Sequence, residues 1–222
     1  MIRGLRLDRK RAGLFTALAV VVAAALAAPA AAGPTPGFVE TWADSGDTRG
    51  WGGGSIYENP GHGGTGGATE GFLLVSTSFS SRLGSVSFGA EYTGDWQAAG
   101  IKGIRVSLND VNGHDALEIH FGIGTRENYW QYDESFRPPD HAWGEFAVDL
   151  TSAAGFTQIR GPGSFEAALQ NADRMHFRHD LAPFTGEPDL IQGDFGVDNL
   201  RLTDQSVPVL PTTWGRIKRL YR

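Results

Sequence analysis

Residues 163–202 carry two different hydrophobic periods back to back, and few architectures accept both. In Ser164–Arg174, the residues Phe165, Ala168, Leu169 and Ala172 fall at the i, i+3, i+4, i+7 spacing of one helical face. Ser164 is placed to cap that helix, and Glu166 sits in its first turn, where the helix dipole favours a carboxylate. The chain then switches to period two. Met175, Phe177 and His179 share one face of a strand, and His176 and Arg178 share the other. A loop rich in Pro, Gly and acid follows, and GDFGVDNLRL (193–202) reads as a last strand. Its apolar phase slips: Phe195 and Val197 share one face, Leu200 and Leu202 the other, which predicts a β-bulge near Asp198-Asn199.

Upstream, the pattern is strands. The segments 38–44, 71–77, 85–92, 101–110, 117–123, 128–133 and 144–150 all read as strand. In two of them the inward phase is Ile104, Val106, Leu108 and Ile119, Phe121, Ile123. Asn112-Gly113 predicts a hairpin turn between those two. Residues 46–71 hold eleven Gly and read as an irregular loop around Ser55–Asn59. The expected fold is all-β: an antiparallel sandwich with one short helix capping an end of its core.

The N-terminus narrows the setting. Arg3, Arg6, Arg9, Lys10 and Arg11 precede the apolar run Leu14–Ala28, and Ala30-Ala31-Ala32 offers a cleavage site. Residues 1–32 therefore read as a secretory signal peptide cut after Ala32. An uncut membrane anchor is the alternative, but the run falls short of the roughly 20 apolar residues of a spanning helix. The 190 residues that remain suit one sandwich domain. With no Cys in the chain, disulfide staples, thiol catalysis and Cys-ligated zinc are excluded.

The net charge is −6, but residues 33–205 hold ten Lys/Arg against 24 Asp/Glu. A body that acidic is a poor partner for nucleic acid. Catalytic signatures are missing too: there is no G-x-S-x-G elbow, no H-E-x-x-H, no Walker loop and no nucleotide fingerprint. His176 and His179 point to opposite faces of a strand, and His120 beside Glu118 reads as a surface pair. The chain is expected not to be an enzyme. Among 24 carboxylates, any two chosen for glycoside hydrolysis are close to a chance pairing.

The end of the chain resembles the laminin B module (laminin domain IV). The shared pattern is Phe165, Leu169, Asn171, Arg174, Phe177 and Arg178, an acidic loop, then Gly196, Asp198, Asn199, Leu200 and Leu202. Asp44–Trp51 and His141–Phe156 agree more loosely, so the likeness spans roughly 38–203. The resemblance implies a galactose-binding-like jelly roll, an extracellular setting, and a glycan or extracellular matrix component as partner. It also implies that the first and last strands pair and hold a structural calcium. Glu40 or Asp44 with Asp198 would supply oxygens, with Asp47 a further candidate.

Aromatic residues carry the binding expectation. Tyr129, Trp130 and Tyr132 stand among acids and amides, and Trp96 sits in a polar turn. Sugar C–H faces stack on such rings while adjacent amides and acids bond the hydroxyls. Trp42, Trp51 and Trp143 read as core plugs, and core packing competes with ligand contact for Trp130 and Tyr132.

Residues 206–222 form a separate unit, a Pro-rich linker and a short amphipathic stretch capped by Thr213. Trp214, Ile217, Leu220 and Tyr221 share one face against Arg216, Lys218, Arg219 and Arg222. Residues 213–222 are a candidate contact for a membrane surface or the envelope. The expected domain is therefore residues 38–205, a secreted or envelope-associated glycan-binding module. A structural envelope or biofilm protein held by its tail is the alternative, and a glycoside-active enzyme the disfavoured one.

Overall fold

The computed structural model describes residues 33–113 and 116–207; the signal-peptide reading and residues 208–222 of the tail lie outside them. Among the described residues no helix is long and apolar enough to cross a membrane. The chain runs β1 (Val39–Glu40), β2 (Ile56–Glu58), β3 (Leu73–Arg82), β4 (Gly84–Ser87), β5 (Gly103–Asn109) and β6 (Ile119–Gly124). It continues through β7 (Tyr129–Tyr132), β8 (Gly144–Asp149), β9 (Phe156–Arg160), α1 (Phe165–Gln170), β10 (Arg174–His179) and β11 (Leu190–Thr203).

These strands make an antiparallel β-sandwich of the jelly-roll type. One sheet has the order β2-β3-β11-β5-β8, with β1 also paired to β11; the other is β4-β10-β6-β7-β9. The first and last strands do pair, Val39 opposite Arg201 and Glu40 opposite Leu200. The alternation expected from the sequence sets the core. Ile104, Val106 and Leu108 of β5, Ile119, Phe121 and Ile123 of β6, and Met175 and Phe177 of β10 are all buried. At one end Trp51 stacks on Phe177 with ring centroids 5.9 Å apart, and Trp42 and Tyr92 meet Trp51 edge-on.

The helix is short but capped as its sequence suggests. Ser164 Oγ accepts from Ala167 N at 3.1 Å, and Phe165, Ala168 and Leu169 face the core. The phase slip of β11 is a bulge. Its register against β5 shifts between Asp198 and Arg201, and Asn199 has a left-handed φ of 47°.

Two expectations change. Asn112-Gly113 does not join a hairpin, because β5 and β6 belong to different sheets. Gly113 N does bond Asp110 Oδ1 at 2.8 Å, but Asn112 N is drawn to Asp194 of β11 at 3.1 Å, and the chain crosses between layers. His120 is not a surface residue. The loop between β10 and β11 folds over it, with Phe184 at 4.7 Å between centroids, and Glu118 pairs with Arg137 instead.

Candidate functional site

The outer face of the five-stranded sheet carries a groove. It exists because β10 presents Arg174, His176 and Arg178 on its outward phase while Met175 and Phe177 enter the core. Gly122 lies beneath His176. A Cβ there would stand 2.2 Å from His176 Nε2, so only glycine lets the imidazole lie across β6. Tyr129 of β7 meets the same ring at 4.9 Å. One stretch of the groove, about 200 Å³, is lined by Phe88, Arg126, Tyr129, Ile159, Arg160, Arg174, His176 and Arg178. A second, about 220 Å³, continues past β4 to Arg82 and Pro188 and shares Val86, His176 and Arg178 with the first. Among the described residues, no Asp or Glu lines either stretch.

The far wall is the loop at 180–189, held by a buried network. Arg178 donates to Gln131 Oε1 at 2.7 Å, Asp180 Oδ2 at 2.6 Å and Thr185 O at 2.7 Å. Gln131 Nε2 donates to Asp180 Oδ2 at 3.0 Å, and Asp189 N to Asp180 Oδ1 at 3.3 Å. Arg160 donates to Gly186 O at 3.2 Å. Two polar atoms in this region are buried without a partner, Tyr129 Oη and His176 Nε2. Burial raises the Tyr129 phenol pKa, so it stays protonated. Burial, then the Arg178 charge, holds His176 well below the usual histidine range, so its imidazole is neutral. The groove therefore combines guanidinium donors and the exposed Phe88 ring, over which Arg174 sits at 4.9 Å, with a buried phenol and a buried neutral imidazole beneath them.

The aromatic candidates do not converge. Alternation along β7 sends Tyr129 to the groove and Trp130 and Tyr132 to the opposite side. Trp130 packs edge-on against Phe165 at 5.6 Å, and its indole N–H donates to Asn128 Oδ1 at 3.0 Å. Tyr132 packs on Phe156 at 5.1 Å and lines a separate pocket of about 380 Å³ with Glu134, Glu145 and Asp149. Trp96 is a correction. It is fully buried, with its N–H donating to Tyr92 O at 2.9 Å, so no face of the ring is open to a sugar.

The four metal candidates do not form one group. Glu40 is buried against Arg49 at 3.4 Å, and Asp47 meets the same guanidinium at 3.5 Å. Asp198 is buried elsewhere, accepting from Thr65 N and Oγ1 at 2.8 Å each and from Asn199 N at 2.7 Å. Burial raises the pKa of both Glu40 and Asp198. Asp44 is exposed. Among the described residues, no three or more His, Asp or Glu are grouped to hold one ion. What does converge is backbone oxygen. The carbonyls of Trp42, Asp44 and Asp47 meet Asn59 Nδ2 at 2.7, 2.8 and 3.0 Å.

Only part of the basic groove is legible in the sequence. The Arg174-x-His176-x-Arg178 alternation signals an outward cationic stripe. Arg126 and Arg160 carry no such signal, because they reach the groove from the turn before β7 and the end of β9.

No protein-family model matches the chain, so the laminin B likeness remains one of motifs. No curated protein matches it in sequence either. Solved structures do match. An exo-β-agarase aligns with a TM-score of 0.55 at 11% identity, over 78% of this chain and 25% of the agarase. The family 11 carbohydrate-binding module of a Clostridium thermocellum cellulosomal cellulase aligns at 0.49 and 21%, over 76% of this chain and 96% of the module. The CBM22-1 xylan-binding domain of a Paenibacillus barcinonensis protein aligns at 0.45 and 13%, over 78% and 99%. The agarase match supports the sandwich fold, and this chain spans a quarter of that protein's length.

Proposed function

We propose that this chain is a secreted, non-catalytic module that binds a glycan, free or displayed on an extracellular matrix component. The observation that carries the reading is the groove on the five-stranded sheet. It offers the exposed Phe88 ring, with Arg174 over one face and the other left for a sugar, and guanidinium donors for hydroxyl oxygens, the combination a saccharide site needs. Among the described residues its lining has no carboxylate to serve as the acid and base of glycoside hydrolysis. Secretion rests on the basic-apolar-small pattern of residues 1–32.

The test is retention of the full-length chain on a panel of immobilised polysaccharides. At least one is expected to retain it, and Phe88→Ala is expected to weaken that binding roughly tenfold, the loss of about 1.4 kcal/mol. Phe88 is exposed, so the substitution leaves the fold intact. Retention by none of the panel would reject the reading.

A structural calcium belongs to the same proposal, with its donors re-sited. Asp44 and Asp47 would contribute backbone carbonyls, together with that of Trp42, rather than their carboxylates. Three acceptors face the two hydrogens of one amide, and oxygens of this kind are hard donors suited to calcium. Left-handed Trp42 and Arg49, at φ 48° and 54°, turn the loop so that these carbonyls converge. Calcium at a hundredfold excess over its Kd is expected to stabilise by about 2.7 kcal/mol, raising Tm by roughly 5–10 °C over EDTA. Identical melting curves in calcium and EDTA would remove calcium from the proposal.

A further inference from the structure

We propose that the groove selects an acidic glycan, one whose carboxylate or sulfate groups are held by Arg126 and Arg160. This rests on the glycan-binding reading and names the substrate class of that site. The body of the protein is acidic, ten Lys/Arg against 24 Asp/Glu over residues 33–205, yet among the described residues the groove lining holds arginines and no carboxylate. A neutral polysaccharide gains nothing from that reversal of sign. A polyanion is repelled by the body and attracted only where it lies in the groove, which makes the charge pattern selective.

The arginines are not equally committed. Arg178 is taken up by Asp180 at 2.6 Å, and Arg82 by Glu187. Arg174 is paired with Asp173 at 2.6 Å. Arg126 and Arg160 are exposed and have no carboxylate partner among the described residues; Arg160 makes one bond, to Gly186 O at 3.2 Å. Arg160 also stands close enough to His176 for its charge to act on that ring. Each planar guanidinium keeps donors free for two oxygens of one carboxylate or sulfate, a geometry that hydroxyls do not reproduce. Tyr129 Oη and His176 Nε2 add two unpartnered polar atoms in the same region.

Isothermal titration of the full-length chain against polygalacturonate, a sulfated galactan and neutral xylan tests this. Binding to one acidic polymer is expected to exceed binding to xylan roughly tenfold or more, and to weaken as salt is added. The preferred polymer tells carboxylate from sulfate. The double variant Arg126→Gln, Arg160→Gln is expected to lose about tenfold in that binding at unchanged Tm. Arg105→Gln, on the other sheet, is expected to bind as the parent does. Xylan bound as well as the acidic polymers, or a double variant that binds them unchanged, overturns the inference while leaving glycan binding standing. Equal affinity for a single-stranded oligonucleotide overturns it as well, because the groove is then a general polyanion site. No binding to either acidic polymer also overturns the inference, whereas glycan binding itself falls only if the wider panel retains nothing.

Discussion

Asp180→Ala is expected to lower the unfolding free energy by about 3–5 kcal/mol, the cost of removing one partner from a buried ion pair. Both members are shielded, with side-chain exposures of 9% for Arg178 and 1% for Asp180. Without the carboxylate, the Arg178 guanidinium stays in a site that already disfavours charge, since burial lowers its pKa. Gln131 Nε2 and Asp189 N each lose an acceptor in the same step. Thermal unfolding reads the effect as a Tm loss on the order of 10 °C for a domain of this size. Limited proteolysis reads its location, because the loop 181–189 loses the bond from Asp189 N that closes it. Asp180→Asn keeps an acceptor for Arg178 and is expected to cost less. An Asp180→Ala protein that melts with the parent would show that the network does not hold the groove wall.

The local signals of this chain are strong and its long-range ones weak, and the structure divides along that line. The helix over Phe165–Gln170, the strand Arg174–His179 and the bulge after Asp198 were all legible, because each is set by residues within one or two turns of backbone. Asn112-Gly113 was misleading for the same reason. A turn signal describes two residues, whereas sheet membership depends on which face finds the core, and Asp194 decides that from 82 positions away. His120 looked exposed because the loop that covers it arrives from residue 184. The groove suffers similarly. Its β10 stripe has a period and can be read, but Arg126 and Arg160 join it only when β7 and β9 are laid beside β6. Along β7, alternation correctly separates Tyr129 from Trp130 and Tyr132, yet it says nothing about which side is open.

Trp96 shows the remaining difficulty and gives the second large effect. Its neighbours Gly94, Asp95 and Gln97 make the turn look solvated, and an indole there invites a binding role. The ring instead enters the core. Its N–H donates to Tyr92 O, and its backbone joins α1 and the segment before β5, through Trp96 N to Leu169 O at 3.0 Å and Ile101 N to Trp96 O at 2.9 Å. Trp96→Ala is expected to cost about 3–5 kcal/mol, from lost transfer free energy and the cavity left behind. It also strips the Tyr92 carbonyl of a buried bond, worth about 1–3 kcal/mol within that total. Trp96→Phe, which refills most of the volume, is expected to recover part of the loss. Urea unfolding of the two variants checks the order. Glycan affinity of the folded fraction separates the roles: a core residue leaves it unchanged once the protein is folded. Loss of glycan binding at parental stability would place Trp96 at a ligand surface, and the buried position described for it would then be wrong.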